Sequence, residues 1–327
     1  MLIYLEKKAK NFPLTKSILG KLPQAEILEI DHYKNIFDKN IWNQQLSPAL
    51  ILAQQENPKL IPVPDHYGYT GKAYFFKTSL NCVFDCEYCY LKGNFKTQYP
   101  VIFVNYDEIQ KSIKKQIEEE RKAGYQGQIT LYASNYSDLQ GLDQLSEFNQ
   151  HFFPFMEQFD GVLMETRTKS ANISSILEAN QGIPPRNTEI SFSLNPQSII
   201  EQYEKGTAPL RTRMQAINTL LEKNYKVWLR FLPLLPVENY ENLYSELLEQ
   251  VKREIDMEKV NSLFIASLIY NQGDFKQMQK KNLNSNLRNL VQLQENGLVK
   301  IPDQIFQTFV SLFEKHFPEK KIYFDFV

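Results

Sequence analysis

The chain has 327 residues, with 37 basic and 38 acidic side chains and only three cysteines. A net charge of −1 gives no global field that would hold it on nucleic acid or an anionic membrane, so any polyanion contact has to be local. No uncharged apolar run reaches the roughly 18 residues needed to cross a bilayer, the N-terminus lacks a secretory layout, and three cysteines are too few for a disulfide scaffold. Together these point to a reducing cytoplasm.

Residues 1–72 read as an N-terminal extension packing on the rest of the chain. The expected elements are a helix near Pro23–Phe37 and a strand at Ala49–Ala53, before Pro58, Pro62 and Pro64 break regularity. From Ala73 the pattern alternates. Strands are expected at Ala73–Lys77, Gln128–Ala133, Gly161–Arg167, Glu189–Leu194, Lys226–Leu232 and Ser262–Leu268. Helices are expected at Asp107–Lys122, where Ile109, Ile113 and Ile117 recur every fourth residue, and at Leu142–Gln158, Ser170–Asn180, Pro196–Tyr203, Leu210–Asn224 and Asn239–Ile255. Strand and helix in succession imply parallel βα units with right-handed crossovers. The fold class is therefore α/β over residues 73–270. Residues 271–327 carry a hairpin signal, Asn296-Gly297 within Leu290–Ile301, then a helix at Asp303–Phe317 and a short strand at Ile322–Phe326.

All three cysteines fall in one stretch, SLNCVFDCEYCYL, with the spacing Cys-x3-Cys-x2-Cys directly after the first expected strand. Three thiolates on one loop, Cys82, Cys86 and Cys89, can hold three irons of a [4Fe–4S] cube and leave the fourth iron for a small molecule. A structural zinc site wants four protein ligands. The four histidines (His32, His66, His151 and His316) are remote in sequence, and His66 would have to fold back to complete one. The spacing resembles that of the radical S-adenosylmethionine (SAM) superfamily. That resemblance implies a partial (β/α)6 TIM-type barrel, with functional residues at the C-terminal ends of the strands. It also implies a cofactor pair of cluster and SAM, and a reductant such as flavodoxin or ferredoxin.

Five segments sharpen the likeness: CEYCYLKG, YASNYSDLQGLDQL, METRTKS, ISFSLNPQSIIEQYEKGTAPLRTRMQA and KVWLRFLPLLP. Through them the chain resembles the spore photoproduct lyase family, whose members use an adenosyl radical to return a thymine dimer in DNA to two thymines. The resemblance implies cluster ligation by Cys82, Cys86 and Cys89, and radical handling near SAM by Tyr88 and Tyr90; for each tyrosine, core packing is the alternative. It implies SAM contacts for Ser137 and Lys169, though a lysine after a strand is more often a solvated charge. Ser193 and Asn195 suit polar SAM contacts or a cap before Pro196. Glu204 and Arg213 are either a structural ion pair or direct SAM contacts. Arg230 ends an apolar strand, so its charge is expected in the barrel mouth, meeting SAM or an anionic substrate.

The sequence departs from the family in two places. The family's hydrogen-donating cysteine, aligned on Ser137-Asp138, falls at Asn135, and the chain has no other cysteine to replace it. An amide N–H is too strong a bond for that task, so the hydrogen returns by another route, a tyrosine or SAM itself, or the repair is not performed. The family's basic C-terminal hairpin reads LVQLQENGLVKI here, with one lysine and one glutamate, and Lys276, Lys280, Lys281 and Arg288 form at most a modest basic face upstream. Three functions fit this sequence: a lyase-like radical SAM enzyme acting on a nucleobase in DNA or RNA, the same machinery acting on a small molecule or peptide, and a non-catalytic Fe–S or zinc protein.

Overall fold

The computed structural model describes residues 1–37, 48–64, 71–281 and 285–324; His66 lies outside them. The central sheet has eight strands. In spatial order they are Ile322–Phe324, Val260–Ser267, Val227–Leu234, Thr188–Ser193, Val162–Thr168, Ile129–Tyr132, Lys72–Phe75 and Ile61–Pro62. All neighbours pair in parallel except the last two. The six strands expected between Ala73 and Leu268 are all present and adjacent in chain order, curled into a half-barrel. The C-terminal strand adds a seventh parallel member.

Strand parity divides this sheet chemically. Ile190, Phe192, Leu229, Phe231, Leu263 and Ile265 are fully buried and pack outward on the helices: Phe231 meets Phe313 of the Asp303–His316 helix edge-on at 4.7 Å. The alternate positions turn to the other face, which is mixed: Glu165, Ser191, Ser193 and Arg230 are polar, while Trp228 and Phe264 set rings against Arg230. There the Arg230 guanidinium donates from Nε to Glu165 Oε1 (2.5 Å) and to Ser191 Oγ (3.2 Å). A strand with one apolar and one charged face needs both covered, the first by helices and the second by partners of its own kind.

The N-terminal residues form a second sheet, ordered Glu26–Ile30, Leu2–Glu6, Ala49–Ala53, Val101–Phe103 and Ser79–Leu80. The structure corrects three expected helices. Pro23–Phe37 is not a helix but an edge strand at Glu26–Ile30, paired in parallel with Leu2–Glu6, followed by a 3-10 turn at Tyr33–Ile36. The sequence Glu26-Ile27-Leu28-Glu29-Ile30 has no strand alternation, and pairing with Leu2–Glu6 decides for the strand. The helix expected over Leu142–Gln158 is two, Leu139–Ser146 and Phe148–Met156, broken at Glu147 in the left-handed region (φ 53°). Ser170–Asn180 contains only a short helix at Ser174–Glu178 and a 3-10 segment at Ala179–Gly182. The other expected helices hold to within a few residues.

The hairpin is real but short: Gln292–Leu293 pairs antiparallel with Leu298–Lys300, and the latter also pairs with Ile269–Asn271. Its turn places Gly297 at φ 81°, where a side chain would be strained.

Candidate functional site

The cysteine loop leaves the N-terminal sheet at Ser79–Leu80 and is threaded between other elements. Asp85–Cys86 pairs antiparallel with Glu204–Lys205, Glu87 N–H donates to Tyr203 O (2.8 Å), and Tyr270 from the hairpin sheet donates its hydroxyl to Tyr88 O (2.7 Å). The loop ends in the Leu91–Asn94 helix. A Cβ at Gly93 would stand 2.6 Å from the Asp274 carbonyl oxygen, so this glycine lets the helix seat against Gln272–Lys281. Gly93→Ala is expected to cost about 1–3 kcal/mol by overpacking, read as a lower unfolding midpoint together with weaker iron retention.

The three thiols are free of disulfides, Cys86 buried and Cys82 and Cys89 partly so. Burial pushes all three up, Cys86 to about 12, with Lys169 the chief opposing charge there. Among the described residues no group of three His, Cys, Asp or Glu side chains is gathered for a single ion. The described histidines are engaged elsewhere: His316 with Ser245 and Glu249, His151 with Glu147, and His32 with the Lys34 amide.

Behind the loop lies a buried polar network. Glu204 accepts from the Tyr88 hydroxyl and from Asn195 Nδ2 (2.9 Å), while its other oxygen meets Arg213 Nη2 at 2.5 Å. Arg213 spends its remaining nitrogens on Ser193 O (2.8 Å) and Ala208 O (2.7 Å). Asn195 Oδ1 accepts from Tyr244 (2.8 Å), whose oxygen accepts the Leu235 amide (3.0 Å). Burial alone would raise the Glu204 carboxyl; Arg213 first and Lys169 second hold it below the usual range. The same burial, reinforced by Glu204, pushes the Tyr88 phenol well up. Four of the sequence-selected residues are thus brought together, with their polar atoms consumed by one another.

Others are left with unused groups. The Ser137 and Ser193 hydroxyls and Arg230 Nη1 are buried with no protein partner. The Lys169 ammonium stands 5.6 Å from the centre of the Tyr88 ring. Buried polar atoms without protein partners call for a ligand or ordered water; Ser137 lies next to Asp138, whose charge reaches Cys82, and Lys169 reaches Cys86. The set suits an amino-acid moiety carrying carboxylate and amino groups, so the residues present fit the implied SAM as well as the cluster. Tyr90 is exposed, and its hydroxyl donates to the Asn135 backbone carbonyl.

Sequence reasoning missed two supports. Asp138 accepts from the Gly141 amide (2.9 Å), the Thr168 hydroxyl (2.8 Å) and the Lys169 amide (2.7 Å), tying the loop of Ser137 to that of Lys169. Its place three residues before Gly141 is an N-cap signal. Glu165 pairs with Arg230 across two strands; burial opposes its charge, and Arg230 and Arg167 hold its carboxyl down. Arg230 is accordingly 1% exposed and bound within the barrel. Lys281 is not part of a solvated basic face: its ammonium donates to Phe95 O (3.3 Å), and burial draws it down to about 8.

A model of the spore photoproduct lyase family matches residues 70–294. The chain belongs to the spore photoproduct lyase family. The family's curated members include a spore photoproduct lyase of Geobacillus sp. (strain Y412MC61), 24% identical over 266 residues and covering 78% of this chain and 74% of that one. Another, of Bacillus subtilis (strain 168), is 25% identical over 259 residues, covering 76% and 72%. Among solved structures, a spore photoproduct lyase mutant with bound AdoMet and dinucleoside spore photoproduct superposes with a TM-score of 0.81 at 20% identity, over 99% of this chain and 97% of that one. A spore photoproduct lyase complexed with dinucleoside spore photoproduct gives the same score. The radical SAM half-barrel is therefore the fold of this family member.

Proposed function

We propose that this spore photoproduct lyase family member is a radical SAM lyase acting on a lesioned nucleobase, and that the thiol triad with the unpartnered Ser137 and Ser193 hydroxyls and the Lys169 ammonium carries the reading. A [4Fe–4S] cluster on Cys82, Cys86 and Cys89, with SAM, would supply a 5′-deoxyadenosyl radical that takes a hydrogen atom from the substrate. The chain's own task is placement. Lys169 offers a cation to the methionine carboxylate, and Ser137 and Ser193 offer hydrogen bonds that protein groups leave open. Asp138 fixes the two loops that bear Ser137 and Lys169. Tyr88, Asn195, Glu204 and Arg213 act as the rigid floor of the site, and Arg230 with Glu165 forms its inner wall. Burial keeps water from the radical.

Tyr90 is the group best placed to take over from the missing cysteine, since its phenol is bonded to the backbone of Asn135 itself. Tyr90→Phe is expected to cut repaired product by about tenfold or more while SAM cleavage persists, read as the ratio of thymine released to 5′-deoxyadenosine formed. Unchanged coupling would exclude a role for this phenol.

The hairpin gives the alternative, a small molecule or peptide, its footing: Lys300 is ion-paired with Asp303 at 2.7 Å and leaves no free cation there. The deciding experiment incubates the reduced, iron-loaded enzyme and SAM with dinucleoside spore photoproduct and with lesion-bearing DNA. Release of thymine units supports the lyase reading. SAM cleavage that neither substrate stimulates favours the alternative. A reductant of the flavodoxin or ferredoxin class completes the system.

A further inference from the structure

A cavity of about 430 Å³ lies between the Tyr33–Ile36 turn of the N-terminal segment and the chain that leaves the first barrel strand. That is within the usual range for small-ligand sites, roughly 300–1,000 Å³. Its walls carry three kinds of group. Tyr33, Phe37 and Phe95 bring flat apolar faces, with Tyr33 held by a stacked His32 (4.8 Å) and an edge-on Phe103 (5.6 Å). Gln55 brings an amide whose Oε1 is buried and has no hydrogen-bond partner. Its backbone is clamped on both sides by Asn105, whose Oδ1 accepts the Gln55 amide (2.9 Å) and whose Nδ2 donates to its carbonyl (3.0 Å). Lys34 and Lys77 bring two ammonium groups that touch rings, Tyr33 at 5.8 Å and Tyr136 at 4.5 Å, and no carboxylate among the described residues. Glu56, the carboxylate on the wall, is taken by Lys8. Burial, and behind it the charge of Lys34, draws the Lys77 ammonium down, while Lys34 itself also feels the more distant Glu56 carboxylate.

Rings, an amide edge and paired cations are the three parts of single-strand nucleotide recognition: stacking, base-edge hydrogen bonding and phosphate neutralisation. We propose that this cavity is a second binding site, for one unstacked nucleotide, with the base against the aromatic wall and Gln55 and the phosphate at Lys34 and Lys77. A glutamine amide matches a base with an exocyclic amine beside a ring nitrogen, which favours adenine. Lys77 reaches Tyr136, next to Asn135 and Ser137, so the cavity adjoins the barrel mouth. The site rests on the nucleobase reading for its role, holding a neighbour of the lesion once the helix is opened, and supplies the phosphate contacts that the hairpin lacks.

The test titrates the full chain with AMP, with the single-stranded oligonucleotide d(AAAA) and with inorganic phosphate, by calorimetry. Saturable nucleotide binding is expected. Gln55→Leu should weaken it by about tenfold and leave phosphate binding intact; Lys34→Glu, at an exposed position, should weaken both by about tenfold. Tighter binding of d(AAAA) than AMP identifies a strand as the ligand, and equal binding a free nucleotide; either supports the site. Absence of saturable nucleotide binding, or native affinity in both variants, overturns it. Nucleotide binding without turnover of any lesion leaves the site standing and removes the lyase reading. Lesion turnover with native affinity in both variants does the reverse. SAM affinity and the unfolding midpoint, measured alongside, show whether either variant is merely misfolded.

Discussion

Arg213→Ala is expected to lower stability by roughly 3–5 kcal/mol, the range for removing one partner of a buried ion pair. Arg213 and Glu204 are fully buried at 2.5 Å from each other. Without the guanidinium, Glu204 keeps its burial and its distance from water but loses its largest compensating charge, and Ser193 O and Ala208 O lose their donors. Arg213→Lys should recover little, because a single ammonium cannot reach in the three directions that the guanidinium serves. The pH dependence separates this from a packing defect. Glu204 is held below its ordinary value of 4.5, so its stabilising contribution is complete above that pH and is lost as the pH falls through the lower native value. In the variant the carboxyl is pushed up instead and takes its proton earlier. The stability gap between the two proteins should therefore narrow between about pH 7 and pH 4. Chemical denaturation at several pH values reads it, and a gap that is constant over that window would show that charge is not the cause.

Cys86→Ala should remove cluster assembly and with it all SAM cleavage above background. Cys86 is the buried thiol of the three and the one whose backbone is paired with Glu204. Its loss leaves two ligands, too few to hold a cube against exchange. Iron content and 5′-deoxyadenosine formation are the readouts, and the unfolding midpoint of the metal-free protein is the control. A Cys86→Ala protein that keeps its iron and cleaves SAM would remove the basis of the enzymatic reading.

The two departures legible in the sequence have acquired physical form. Asn135, the position that the sequence aligns with the family's cysteine, has the Tyr90 phenol set against its backbone. The unbasic hairpin is further neutralised by Asp303. The half-barrel was readable because its strands are short apolar runs between strongly periodic helices, and burial on the helix side enforces that pattern. Of the N-terminal sheet only the strand at Ala49–Ala53 was readable. Glu26–Ile30 is an exposed edge strand whose composition suits a helix equally well, and its identity depends on a partner at the very start of the chain. The break at Glu147 depends on a left-handed glutamate, for which no residue type signals. At the site, the three cysteines stand out in the sequence by spacing alone, because they lie on one short loop. Glu165 was not, since it meets Arg230 only after strands 65 residues apart are laid two places from each other in one sheet.

The N-terminal sheet also changes what the cysteine loop is. Ser79–Leu80 and Val101–Ile102 pair antiparallel at its edge, so the thiols ride on an excursion whose two ends are pinned to each other. Val101–Phe103 is in turn laid against Ala49–Ala53. During synthesis, the first three strands can complete their sheet only after the thiols and residue 103 have left the ribosome. The loop is fixed at its ends by this sheet and in its middle by Glu204–Lys205 of the barrel region.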